Sequence, residues 1–373
     1  MSLTSGRTET GVNVNEHNAM ELSAIYRAIA ILAEGEAQLP LAIGRKVDDE
    51  RTPDPDHPLH EVLNVRANPY MSAFTFRSTI QRHAVTWGNG YSEIQRNKAG
   101  RVVGLWPLLP DRTWPDTDRD RGERIYRTII DGTAYTLPVD RVMHIPALSF
   151  DGLTGQGPIS LARQSVGLSK ALESHGGRYF RHELQSGGWV TVPGKLSDTA
   201  RENLRASVEA QGGLQNAHRI KILEEGAEFS SATLPNDDAQ FLETRQFQVA
   251  EAARWFGIPL HMLASETGAT SWGTGITQIS LGFVRYTLQP WSIRWEQEMR
   301  FKLLAESERE QGHYIKHNFE SLLRGDPAAR AEYYAAALDS ETGWMLEDEV
   351  RALEDLNPLR RTRAPMEIED EMP

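Results

Sequence analysis

Residues 253–280 read ARWFGIPLHMLASETGATSWGTGITQIS, and three features of this stretch divide the chain around it. A helix beginning near residue 237 runs out at Phe256, where Gly257 and then Pro259 supply a stop: glycine tolerates the left-handed cap and proline cannot continue the helix. Residues 265–275 are dense in Gly, Ser and Thr around Trp272, which predicts a loop. A new helix follows from Ile276 to about Leu304. Ile276, Ile279, Phe283, Tyr286 and Pro290 fall there at alternating steps of three and four, a narrow seam for helix–helix contact. Pro290 lies inside that helix, removes one backbone hydrogen bond and predicts a kink.

Upstream, a second long helix is predicted from Pro158, which sits at a first-turn position where its missing N–H costs nothing. Leu161, Leu168, Leu172 and Tyr179 place one apolar face on it, and Gly187-Gly188 end it. Between the two long helices lies a compact β-α-β-β insert: a strand over 189–192, a helix over 197–210, then strands around 220–223 and 228–230. At about 1.5 Å per residue, a twenty-residue helix is on the order of 30 Å long, so the pair forms a hairpin stalk with a small tip.

The N-terminal half is mixed. A helix is expected over 19–37, a strand over 38–45 and another helix over 73–85. From Gly90 the pattern changes to short strands, 91–96, 102–109, 125–131 and 133–137, expected to form one antiparallel sheet. Asp131-Gly132 has the composition of a two-residue hairpin turn. Residues 326–356 read as two helices broken near Thr342-Gly343, and the charged end from 359 as a disordered tail. The fold class is α+β.

The bulk numbers exclude several functions. Among 373 residues there is no cysteine, which removes disulfides, thiolate nucleophiles and cysteine-based metal sites. The net charge is −12, with 52 acidic against 40 basic residues, the wrong balance for a protein that grips nucleic acid through phosphates. It is compatible with one past which nucleic acid slides, and equally with an ordinary acidic soluble protein. No apolar run is long enough to span a bilayer, and the N-terminus lacks a signal-peptide pattern.

Catalytic signatures fail on inspection. Gly155-Gln156-Gly157-Pro158-Ile159-Ser160 has Ser160 where a dinucleotide loop needs its third glycine, and reads as a helix-capping loop. In 188–196 five residues separate Gly188 from Gly194, and Leu196 stands where a P-loop needs a hydroxyl. Asp116, Asp118 and Asp120 alternate like a calcium loop, but Arg121 and Arg127 occupy the glycine and glutamate positions. His57 and His60 have no third ligand at metal spacing. Gly167-Leu168-Ser169 lacks the second glycine of a nucleophile elbow. No enzyme and no cofactor is expected.

The order of parts resembles the portal, or head-to-tail connector, protein of tailed bacteriophages, of the Hong Kong lambdoid phage type. The similar stretches are Ala24-Ile25-Tyr26-Arg27-Ala28-Ile29 through Leu39-Pro40-Leu41, His57-Pro58-Leu59 with Asn68-Pro69, and Gly88-Asn89-Gly90-Tyr91. Val142-Met143-His144-Ile145 with Asp151-Gly152 and Gly155-Gln156-Gly157-Pro158-Ile159 resembles the family's strand-to-stalk junction. Phe256-Gly257-Ile258-Pro259-Leu260-His261-Met262-Leu263 is among the most specific. Thr287-Leu288-Gln289-Pro290-Trp291, Trp295-Glu296-Gln297-Glu298, Glu347-Asp348-Glu349-Val350-Arg351 and Asn357-Pro358 complete the set.

The resemblance implies a wing at 1–157, stem helices at 158–187 and 235–262, and a clip at 188–234. It further implies a tunnel loop at 263–275, a kinked tunnel helix and wing strand at 276–325, a crown at 326–358 and a tail at 359–373. It implies a homo-oligomeric ring, usually of twelve subunits, at one capsid vertex of the virion, assembled in the host cytoplasm. Double-stranded DNA would pass through it non-specifically during packaging and ejection. Thr267, Thr270, Ser271, Trp272 and Thr274 would face or shape that channel. Lys195, Arg201, Arg205, Arg219 and Lys221 would face partners at the clip: the terminase large subunit, then a head-completion or tail adaptor protein. Capsid and scaffold proteins would be further partners, and no membrane. The competing readings are another capsid or tail assembly protein and a metal-dependent nucleic-acid hydrolase.

Overall fold

The computed structural model describes residues 6–48, 50–181, 188–191, 197–210, 228–231, 238–263, 274–319, 327–339, 342–354 and 356–359. The chain divides into two compact units, 1–317 and 318–373.

In the first unit, the helix Ser23–Ala37 packs on the helix Ala73–Trp87. Ser72 caps the latter by accepting from Thr75 N–H, and Gly88 ends it at φ +84°. The strands from Gly90 onward form two sheets rather than one. Asn89–Arg96 is the centre of the first, between Val142–Pro146 and Val102–Leu108; Arg124–Ile130 is the centre of the second, between Thr133–Pro138 and Thr113–Thr117. Thr113–Thr117 was not expected, because its end runs into the charged residues around Asp116, Asp118 and Asp120. Its carboxylate Asp116 pairs across the strands with Arg127 Nε at 2.5 Å. The turn at Asp131-Gly132 has φ +48° and +79°, the two left-handed residues that a type I′ hairpin requires. A third sheet pairs His313–His317 with Leu41–Val47, which also pairs with Glu50–Pro53.

The first stalk helix differs from expectation. A short helical turn, Pro158–Leu161, is followed after Ala162 by the helix Arg163–Arg181. Ile159, Ala162 and Val166 are buried, whereas Leu161 and Leu168 are 54% and 41% exposed. The buried face is therefore nearly opposite the leucine face. The second stalk helix is Asp238–Phe256; Ile258 N–H donates to Ala253 O at its end, with Gly257 at φ +66°. In the insert, Gly188–Thr191 pairs antiparallel with Glu228–Ser231, and Asp198–Ala210 is helical. The strand expected at 220–223 lies outside the described residues.

The tunnel helix expected over 276–304 is three segments: α over Thr274–Phe283, π over Val284–Leu288 and α over Gln289–Leu303. Pro290 falls in the first turn of the last segment, half-buried, just after the widened π turn. A proline ring needs the preceding turn to open, and the π turn does so. The seam read from the sequence divides here: Phe283 is buried, while Ile279 and Tyr286 are 44% and 74% exposed.

Two main cores result. One joins Phe76, Ile80, Ile94, Met143 and Ile315 to Trp295 and Met299. The other joins Ile25, Ile29 and Leu32 to the stalk roots through Ile159, Val166, Ala253, Phe256 and Phe283. In the second unit Pro327–Ala337 and Glu347–Leu353 are helices, and Tyr334 Oη donates to Glu354 Oε1 at 2.7 Å. No helix among the described residues is long and apolar enough to cross a membrane.

Candidate functional site

The segment that carries the chain from sheet to stalk, 142–158, is braced by Asn89. Its Nδ2 donates to Gly155 O at 2.9 Å, and its Oδ1 accepts from Gly155 N–H at 2.8 Å and faces His144 Nε2 at 2.9 Å. Oδ1 can only accept, so His144 carries its proton on Nε2 and receives the Tyr126 hydroxyl at Nδ1, 3.2 Å away. Burial holds His144 down to about 3, so the ring stays neutral. Ala147 N–H donates to Gly88 O at 2.8 Å, and the His144 amide donates to Glu298 Oε1 on the helix Gln289–Leu303 at 3.0 Å.

The two backbones approach so closely that only glycine fits. A Cβ on Gly155 would lie 2.0 Å from Gly88 O, and one on Gly88 2.5 Å from Gly157 N. The glycines of the 155–160 stretch thus serve backbone contact at a helix entrance, where Gly157 precedes Pro158.

A second cluster joins four elements by charge. His317, at the end of its strand, places Nε2 2.8 Å from Glu36 Oε1 and Nδ1 3.2 Å from Glu296 Oε1. The contact to Glu36 is close but not aligned as a hydrogen bond, so it acts as an ion pair. Ser292 Oγ donates to Glu36 Oε2 at 2.6 Å, and Arg77 Nη2 donates to the carbonyls of Glu36 and Leu39. Burial disfavours the imidazolium, yet the hydrogen bond to Glu296 and the Glu36 carboxylate beside the ring outweigh it and raise the His317 pKa. Burial also brings Arg77 down to about 10.

A group whose folded pKa is raised contributes stability below its unfolded value, lost as pH rises through the folded value. The denaturant midpoint should therefore fall across the window that opens as pH rises above about 6.5, the unfolded value, and His317→Gln should flatten that slope. His144 and His83, held down to about 3 and about 4, act in the opposite sense and only below about 6.5. A wild-type midpoint that is level across this window would contradict the cluster's charge state.

Of the clip residues expected from the sequence, Arg201 and Arg205 are exposed on Asp198–Ala210, with Arg201 Nη1 3.3 Å from Asp198 Oδ1. Lys195, Arg219 and Lys221 lie outside the described residues, as do Thr267, Thr270, Ser271 and Trp272. Thr274 opens the helix Thr274–Phe283. His57 is buried against Glu308 Oε1 at 3.3 Å, and among the described residues no three His, Asp or Glu side chains gather as a metal site. Sequence reasoning did not single out Asn89 as a brace, although Gly88-Asn89-Gly90 and Gly155 both lay in stretches that carried the resemblance.

The model of the phage portal protein family matches residues 23–355. The chain is 35% identical over 369 residues to the probable portal protein of Streptomyces phage phiC31, covering 94% of this chain and 78% of that one. It is 31% identical over 350 residues to the portal protein of Enterobacteria phage HK97, covering 93% and 81%. Among solved structures it is similar to a chain in the virion of a native gene transfer agent particle, with TM-score 0.63 and 20% identity over 95% of this chain and 97% of that one. It is also similar to an HK97-family phage portal protein from Corynebacterium diphtheriae, with TM-score 0.62 and 15% identity over 87% and 99%.

Proposed function

The chain belongs to the phage portal protein family and is a structural portal subunit, and from that premise we propose that about twelve copies close into a ring at one capsid vertex of the virion, around a channel for duplex DNA. The observation that carries this is the apolar surface that a single copy leaves open. Leu161 and Leu168 on the first stalk helix, and Ile279, Tyr286 and Ile293 on the tunnel helix, are exposed beside buried Val166, Phe283 and Trp295. Apolar faces of this kind, on elements that already have a packed opposite face, suit contact between copies.

In this reading the wing is residues 1–157 with the strand His313–His317, and the stem is the two long helices. The clip is 188–234, the tunnel loop 263–275 and the crown 326–358. The His144–Asn89–Gly155 brace fixes the angle at which stem leaves wing. Wing, stem and tunnel helix share the buried clusters and so move together. The ring would dock the terminase large subunit and later a head-completion or tail adaptor through clip residues such as Arg201 and Arg205, with Lys195, Arg219 and Lys221. The overall acidity keeps phosphates weakly held, as a conduit requires.

The tunnel loop supplies short polar groups, Thr267, Thr270, Ser271 and Thr274, which touch phosphates weakly and in equivalent ways. Trp272 wedges between neighbouring loops, because passage without intercalation gains nothing from a stacking ring. Replacing Thr270 and Ser271 together with Glu should reduce DNA-filled heads to background while ring assembly proceeds. Normal packaging by that variant would show that this loop does not line the channel.

A further inference from the structure

The loop 147–156 presents apolar side chains to water on a fixed backbone. Phe150 is 91% exposed, Leu148 76% and Leu153 41%, higher than core-forming residues elsewhere in the unit. Yet little of the loop is free to move. Asp151 Oδ1 accepts from the amides of Leu153 and Thr154, both at 2.8 Å, and Gly152 N–H donates to Ser149 Oγ at 3.0 Å. Gln156 N–H donates to Leu148 O at 2.8 Å, and Gly155 is clasped by Asn89 on both its polar groups. An apolar knob held this way has lost its ordering entropy in advance, which is the condition for recognition rather than for folding.

The same unit carries a receptor of matching chemistry. A groove of about 200 Å³ opens between the start of Ser23–Ala37 and the two stalk helices, floored by Ile25, Pro158, Ala162, Leu172, Val249 and Trp255. Two polar pairs on its rim engage each other: Ser169 Oγ donates to Gln248 Oε1 at 2.7 Å, and Arg245 Nη2 lies 3.6 Å from Glu173 Oε1. A charged or phosphate-bearing occupant would find no free partner among these pairs. An apolar one would displace only water.

We propose that the Phe150 knob of one subunit inserts into the stalk-root groove of the next copy in the ring, so that the two patches form a head-to-tail contact. The inference rests on the ring reading and adds the residues that close it. A cyclic ring needs two different patches on each chain, one given and one received, and both are present here. Within one chain the two do not meet, because Phe150 is exposed and is not among the residues that line the groove. Large apolar anchors that fill a pocket are the usual centres of such interfaces.

The absence of cysteine makes a direct test clean. Phe150→Cys combined with Ser165→Cys, where Ser165 lines the groove, should give a ladder of disulfide-linked oligomers on non-reducing gels that collapses to monomer on reduction. Each single variant should stay monomeric on those gels. Phe150→Asp should sediment as monomer at concentrations where the wild type is a ring, and at dilutions where both are monomers its thermal melt should match the wild type, because there the side chain is in water in both. Wild-type rings together with Phe150→Asp rings and no double-variant ladder would overturn the knob contact alone. Dimers from Phe150→Cys by itself would indicate knob against knob and also overturn it. Phe150→Asp rings that assemble but fail to join capsids or tails would assign the knob to another protein, against the proposal. A wild type that forms no ring at any concentration would overturn the ring reading first.

Discussion

Gly155→Ala should cost at least about 3 kcal/mol and leave little soluble native protein, a larger loss than its single methyl group suggests. The added Cβ would lie 2.0 Å from Gly88 O and 2.5 Å from Ala147 N, both backbone atoms with no rotamer to turn aside. Relief requires the segment 147–157 to move off the Gly88–Asn89 corner. That movement breaks the paired Asn89–Gly155 bonds and the Ala147–Gly88 bond together, and orphans polar groups that are buried. Gly152→Ala is the control: Gly152 has φ +73° but nothing within 4 Å of its would-be Cβ, so only backbone strain of about 1 kcal/mol is expected. Urea unfolding of the three proteins checks this. A Gly155→Ala midpoint no lower than that of Gly152→Ala would show that the junction is not a close-packed backbone contact.

Trp295→Ala should destabilise by about 3–5 kcal/mol from lost packing, with more from the partner it abandons. The indole is fully buried, meets Phe76 edge-on at 6.5 Å between ring centroids, and donates from Nε1 to Gln81 Oε1 at 2.8 Å. Removing it leaves the Gln81 carbonyl buried without a donor, a further cost of about 1–3 kcal/mol. Because Trp295 sits on Gln289–Leu303 and Phe76 and Gln81 on Ala73–Trp87, the loss loosens these two helices from each other. Trp295→Phe keeps most of the apolar area and should fall between wild type and alanine. Equal chemical-denaturation midpoints for wild type and Trp295→Ala would contradict the placement of this side chain at the centre of the core.

Local signals were legible in the sequence and long-range ones were not. The stop at Gly257-Pro259 and the turn at Asp131-Gly132 depend on backbone preferences of adjacent residues, so they could be read directly. The leucine period on the first stalk helix was also real, but it did not say which face packs inside this chain, and Leu161 and Leu168 face outward. In an assembling protein the interface is apolar too, and one chain's sequence does not separate the two uses. The π turn at Val284–Leu288 carries no local signature beyond the nearby Pro290, and it split a seam that looked continuous. Asn89, His144 and Gly155 meet only through the pairing of Asn89–Arg96 with Val142–Pro146, and Glu36 meets His317 only when the distant strand joins the N-terminal sheet. Such contacts follow from topology, which the spacing of residues along the chain does not record.

Negative-stain imaging of the purified chain across a concentration series bears most directly on the ring. The account predicts closed rings with a central opening wide enough for duplex DNA. Monomers at every concentration, or assemblies with no opening on their axis, would contradict it.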